Sequence, residues 1–215
     1  MRKVTFTASL AAVAVGIVAV ATSSATAAPT GRTTVKRLVC DGRLKSGTYR
    51  VIRVPAGATC NGTRATIYVS GGVRVDAGAT FILGNENHAG GGKIGGTVSA
   101  VDAASVQLHF AHVGGSVTMH GGNGFFSTVE DNVIHGGATI DGYSGFWLGF
   151  IRNSVHGTVK LNNTDMQDPD ANEFVTNTIH GSLICHNDSP APQVGDSEGQ
   201  PNVVTGRKVD QCAGL

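Results

Sequence analysis

A seven-residue segment, Ile134-His135-Gly136-Gly137-Ala138-Thr139-Ile140, recurs along the chain and restricts the fold more than any other feature of the sequence. Val155 to Leu161 and Ile179 to Cys185 repeat it almost residue for residue. Looser copies begin at Val69, Ile94 and Val113, and a partial one at Val204. The glycines that mark the copies, at 71, 96, 115, 136, 157, 181 and 206, are separated by 25, 19, 21, 21, 24 and 25 residues. A period of about 22 that keeps its phase is the mark of a repeat architecture.

Two further patterns share the register. Asn132, Asn153, Asn177 and Asn202 each stand four residues before a marker glycine, and Leu108, Val129, Phe150 and Phe174 stand seven before one. A gap of six residues joins Val54 to Cys60, Val75 to Phe81, Ala100 to Val106, Met119 to Phe125 and Ile140 to Phe146. The apolar ends of these gaps are expected in the interior.

Within each copy the parity alternates: Val155, Gly157, Val159 and Leu161 fall on one side, and His156, Thr158 and Lys160 on the other. That period of two is a strand pattern. No helical apolar spacing persists, and 31 glycines argue against helices elsewhere in the mature chain. A strand this short buries its apolar side only by stacking on its own copy one turn later. A turn of about 22 residues has room for three strands and three bends. The expected fold is therefore all-β, a right-handed parallel β-helix of about seven rungs. A left-handed hexapeptide coil needs multiples of six, and a WD-type propeller needs about twice the period. The four asparagines are expected to stack at one bend, in the left-handed conformation that Asn tolerates.

Residues 1–28 have the form of a secretory signal peptide. Arg2 and Lys3 precede an apolar run from Leu10 to Ala21, and Ala25-Thr26-Ala27 supplies small residues for cleavage. That run is too short for a membrane anchor. Residues 29–53 read as a lead-in and N-terminal cap, and 54–212 as the β-helix with its C-terminal cap. Without Arg2 and Lys3, 14 of the 16 basic side chains stand against 15 acidic ones, a net charge of −1. This balance argues against nucleic acid and anionic membranes as partners. Four cysteines in an exported chain imply two disulfides. Cys40 and Cys60 lie at one end of the repeats and Cys185 and Cys212 at the other, so pairing within each end is expected.

At Val54 to Cys60, at Ile179 to Cys185 with the following Ser189-Pro190-Ala191-Pro192, and at Asn202 to Lys208 with Gln211-Cys212, the chain resembles a group of exported β-helix proteins of high-GC Gram-positive bacteria. The likeness covers nearly the whole mature chain. It implies the fold and the secreted, extracellular compartment, and it carries over no activity and no site. A more remote resemblance is to the pectate-lyase-like superfamily, whose lyase signatures this chain lacks.

Four groups of residues carry chemistry. His135, His156 and His180 form an outward column one place before the marker glycine, expected as a solvated ladder of packed rings whose spacing would also let neighbouring imidazoles meet a metal or a glycan. Glu130 and Asp131 are adjacent acids with Arg152 one rung on, a pattern that fits an inter-rung ion pair or the carboxylates of a glycosidase. Asp168-Pro169-Asp170-Ala171-Asn172 alternates oxygen ligands like the first half of a calcium loop, but Glu173 takes the place of the required glycine. Trp147 and Tyr143, close to Phe146 and Phe150, are candidates for contact with a sugar. No catalytic residue and no cofactor other than calcium is indicated. The expected function is that of a non-catalytic, monomeric, exported β-helix acting through its surface, with a cell-wall or extracellular glycan as partner. A small polysaccharide-active lyase or hydrolase and a self-assembling scaffold are the alternatives.

Overall fold

The computed structural model describes residues 36–215 apart from His88 and residues 196–198. Residues 1–28, expected to be a signal peptide, and residues 29–35 of the lead-in lie outside the described residues. From Arg37 on, the chain winds as a three-sided parallel β-helix with a nine-stranded first sheet and eight-stranded second and third sheets. Each strand pairs with the strand of the same side one turn later, and every pairing is parallel. Crossovers that return to the same sheet in parallel are right-handed as a rule. Eight turns result. The marker glycines count turns only from Gly71. Ahead of them Arg37–Val39, Gly42–Arg43 and Gly47–Tyr49 place one strand in each sheet and form a turn of their own.

Register makes the core a set of files. Val117, Ala138, Val159 and Leu183 are directly opposed in the first sheet and at most 1% exposed. Beside them run Val54, Val75, Ala100, Met119, Ile140, Leu161 and Cys185. Each of the larger aliphatic side chains contributes about 1.5–3 kcal/mol by leaving water. Disulfides Cys40–Cys60 and Cys185–Cys212 close the two ends, with Cα atoms 5.3 and 5.2 Å apart.

The asparagines stack as their spacing requires, and they do so inside. Asn132, Asn153, Asn177 and Asn202 are 1–4% exposed. Asn153 Oδ1 accepts from the backbone N–H and the side-chain amide of Asn132, both at 3.0 Å. Its Nδ2 donates to the Val129 carbonyl at 2.8 Å and to Asn177 Oδ1 at 3.1 Å. The same pattern joins Asn177 to Asn202. The left-handed residue at this bend is the one before Asn132, Asn153 and Asn177: Asp131, Arg152 and Thr176 have φ of 57°, 53° and 60°. The asparagine is selected because its amide replaces the ladder bonds that the bend breaks.

One file departs from the spacing read above. Counted from Ala100, the file of Val106 is reached six residues on, whereas from Met119 and Ile140 the same file is reached eight residues on, at Ser127 and Leu148. Phe125 and Phe146, expected inside, are therefore displaced outward, to 74% and 36% exposure.

Replacing Asn153 with Ala strands a buried N–H and a buried carbonyl at about 1–3 kcal/mol each. The unfolding free energy of N153A, measured in urea, is expected to fall by about 3–5 kcal/mol. A fall below about 1 kcal/mol would remove the ladder from the account.

Candidate functional site

The displaced aromatics gather on the outer face of the second sheet, where strands Asn123–Glu130 and Ser144–Ile151 lie in register. Phe125 stacks on Phe146 with ring centroids 4.7 Å apart and planes 5° from parallel. Phe126 stacks on Trp147 at 4.7 Å and 6°. Stacking at this spacing follows from the rungs themselves, which lie about 4.8 Å apart. Gly124 sits against the carbonyl of Ala104 one turn earlier, where a Cβ would collide. Ala104 brings no ring, so the Phe125 column ends there with one ring face open. Gly149 gives Trp147 room to lie down, since a Cβ there would meet the indole.

Tyr143 takes no part in this surface. It is 0% exposed, because its ring fills the core opposite Gly122 and its hydroxyl reaches the place that Ser127 leaves open. That hydroxyl donates to the Ala104 carbonyl at 2.9 Å and pairs with the Ser127 hydroxyl at 2.8 Å. Trp147 is half-buried against the core and reaches the surface as part of the ladder.

Beside the Phe125–Phe146 column runs a polar one, Asn123, Ser144 and Asp165, again in register. Between them lies a groove of about 430 Å³, lined also by Gln167. Asp165 and Gln167 come from the lengthened turn after Leu161. The groove lining holds amides, a hydroxyl, one carboxylate and two aromatic rings, and neither Lys nor Arg. Flat apolar rings beside hydrogen-bonding side chains suit a sugar ring, whose faces carry C–H groups and whose rim carries hydroxyls.

A second cluster lies further along the same strands. Arg152 holds Asp131 through two 2.9 Å bonds and also donates to Glu130. Glu130 is in register with His109, and its Oε2 lies 3.4 Å from His109 Nδ1. His109 and Glu130 are 3% and 6% exposed. Burial pushes the Glu130 carboxyl up, opposed by the charge of Arg152. Burial pulls the His109 imidazole down from its ordinary 6.5, against the pull of Glu86 and Asp131.

The histidine column forms as its spacing requires. His135, His156 and His180 are exposed and meet edge to face, with centroids 4.7 and 5.4 Å apart. Of the acidic loop, Asp168 accepts from the Asp170 N–H at 3.1 Å. Asn172 turns inward, 0% exposed, and donates to Thr164 and Pro190. Among the described residues no group of three or more His, Cys, Asp or Glu side chains is placed to hold a metal ion. Among them, too, no helix is long and apolar enough to cross a membrane.

The chain matches no family model, no curated protein and no solved structure.

The aromatic face has a signature in the sequence. Phe125-Phe126 and Phe146-Trp147 are offset by 21 residues, which is the local period. His109 leaves a fainter one, the same 21-residue offset to Glu130.

His109 links stability to pH. The unfolded chain protonates this residue below about 6.5, and the folded one only at lower pH, so its contribution is complete above that value and declines as pH falls through it. Glu130, with its pKa raised, acts in the opposite sense, so the comparison is with H109Q. The stability difference between wild type and H109Q, taken from melting temperatures, is expected to shrink as pH drops from about 7.5 to about 5.5. A difference that grows over that interval would contradict the burial of a neutral imidazole.

Proposed function

We propose that this protein is a non-catalytic, exported β-helix that binds a neutral glycan of the cell wall or surroundings through the aromatic face of its second sheet. The observation that carries the reading is the coplanar Phe125–Phe146 pair, with Phe125 74% exposed beside a groove of hydrogen-bonding side chains. Exposed, ordered aromatic area of this kind is uncommon on a surface that binds nothing. The groove contains Asp165 and no cation, which disfavours uronates and phosphates and leaves neutral or amino sugars as ligands.

Export is supported by the form of residues 1–28, by two disulfides in a small chain, and by the resemblance to exported β-helix proteins of high-GC Gram-positive bacteria. A second reading, a polysaccharide-active enzyme, is favoured by one observation, the buried His109–Glu130 pair on the same face. Release of reducing or unsaturated ends from a soluble polysaccharide would replace the binding reading with that one.

Phe125 is exposed, so its removal separates binding from folding. F125A is expected to lose about tenfold in affinity for an insoluble neutral polysaccharide such as chitin or cellulose in a sedimentation assay. That factor is about 1.4 kcal/mol. The melting temperature should stay within about 2 °C of wild type. Unchanged retention on every polysaccharide that the wild type binds would overturn the assignment of this face.

A further inference from the structure

A hollow of about 180 Å³ opens on the same sheet next to the aromatic ladder. It is lined by Ile82, Gln107 and His109 of the sheet and by Phe126. It is lined too by the turn carrying Asn85 and Glu86, part of the loop that lengthens this turn of the helix to 25 residues. The turn is ordered by its own bonds: Asn85 Oδ1 accepts from the N–H groups of Asn87 and Ala89, both at 3.1 Å. Gly84 carries it away from the sheet at φ 72°, close against the His109 carbonyl.

Two features distinguish this hollow from an ordinary crease. His109 is 3% exposed, yet its Nδ1 has no hydrogen-bond partner, and Glu130 lies near it at 3.4 Å without bonding geometry. That nitrogen is shielded beside Glu130, so a ligand in the hollow satisfies it once the imidazole turns. The second feature is its position. Phe125 lines the groove and Phe126 lines the hollow, so consecutive residues of one strand separate the two spaces.

We propose that the hollow is a second sugar subsite. The ligand is then a chain of neutral pyranoses that crosses the Phe125–Phe126 ridge, with one unit in the groove and a later unit in the hollow. This inference rests on the glycan reading of the groove and adds the polymeric character of the ligand. The volume suits one monosaccharide. Phe126 offers an apolar wall, Gln107 and Asn85 offer amides, and His109 offers a ring nitrogen. The hollow is lined by Glu86 and by neither Lys nor Arg, so its selectivity for uncharged sugars is the same as that of the groove.

The test is calorimetry on the full mature chain with cello-oligosaccharides and N-acetylglucosamine oligomers, from disaccharide to hexasaccharide. Wild-type affinity is expected to rise about tenfold with length. Gln107→Trp, which fills the hollow from a half-buried position, should abolish that rise and leave disaccharide affinity unchanged. Gln107→Ala should reduce the rise in part, which guards against a tryptophan that merely distorts the sheet. Disaccharide binding with no dependence on length, or a length dependence untouched by both variants, would overturn the subsite and leave the groove standing. No binding of any oligomer by wild type would overturn both.

Discussion

Parallel pairing of each strand with its own copy one turn later is the interaction on which everything else in this molecule depends. It places residue on residue at a rise of about 4.8 Å, so any side chain type that recurs with the period becomes a column. The consequence differs with chemistry. Apolar residues become continuous interior files, asparagines a buried amide ladder, histidines an edge-to-face column, and phenylalanines a stack. Charges obey the same rule at some cost. Arg53 and Arg74 are in register, and the repulsion is offset by Asp76, which accepts from both at 2.7 Å. The Arg152 clamp on Asp131 is the same device with the signs exchanged.

The surface that could recognise a ligand arises where the repeat is locally violated. Two extra residues before Ser127 and before Leu148 push a pair of rings outward in each of two consecutive turns, and register then forces those pairs to stack. Two longer turns frame the result. The one after Leu161 supplies Asp165 and Gln167, and the one after Leu83 supplies Asn85 and Glu86. A rigid coil thus positions a small number of irregular segments on one side, which is how solenoids commonly carry function.

Much of this was legible in the sequence, because a period of about 22 is itself a contact map. The Val117, Ala138, Val159 and Leu183 file, the asparagine stack, the histidine column and the Arg152–Asp131 pair all follow from adding one period to a residue number, and the pairing of cysteines follows from their places at the two ends of the repeats. What was hidden has physical reasons. Ser127 is polar and stands at an interior position, so the apolar pattern seemed to return at Phe125 and concealed the insertion. Tyr143 looked like a surface aromatic because its core site depends on the room left by Ser127 in another turn. The left-handed residue of the asparagine bend could not be told from its neighbour by type, since Arg152 and Thr176 are not residues that favour it.

The register is best tested by pulsed electron resonance on spin-label pairs that share Arg53 as one partner. Thr118, Thr139, Lys160 and Ile184 continue the Arg53 column at successive turns, and Lys160 stands five turns from it. The backbone separation is expected to reach about 24 Å at Lys160 and to grow by about 4.8 Å at each step, within narrow distributions. Distances that fail to increase in equal steps, or that spread broadly at the middle positions, would contradict the stacked coil and the ligand face built on it.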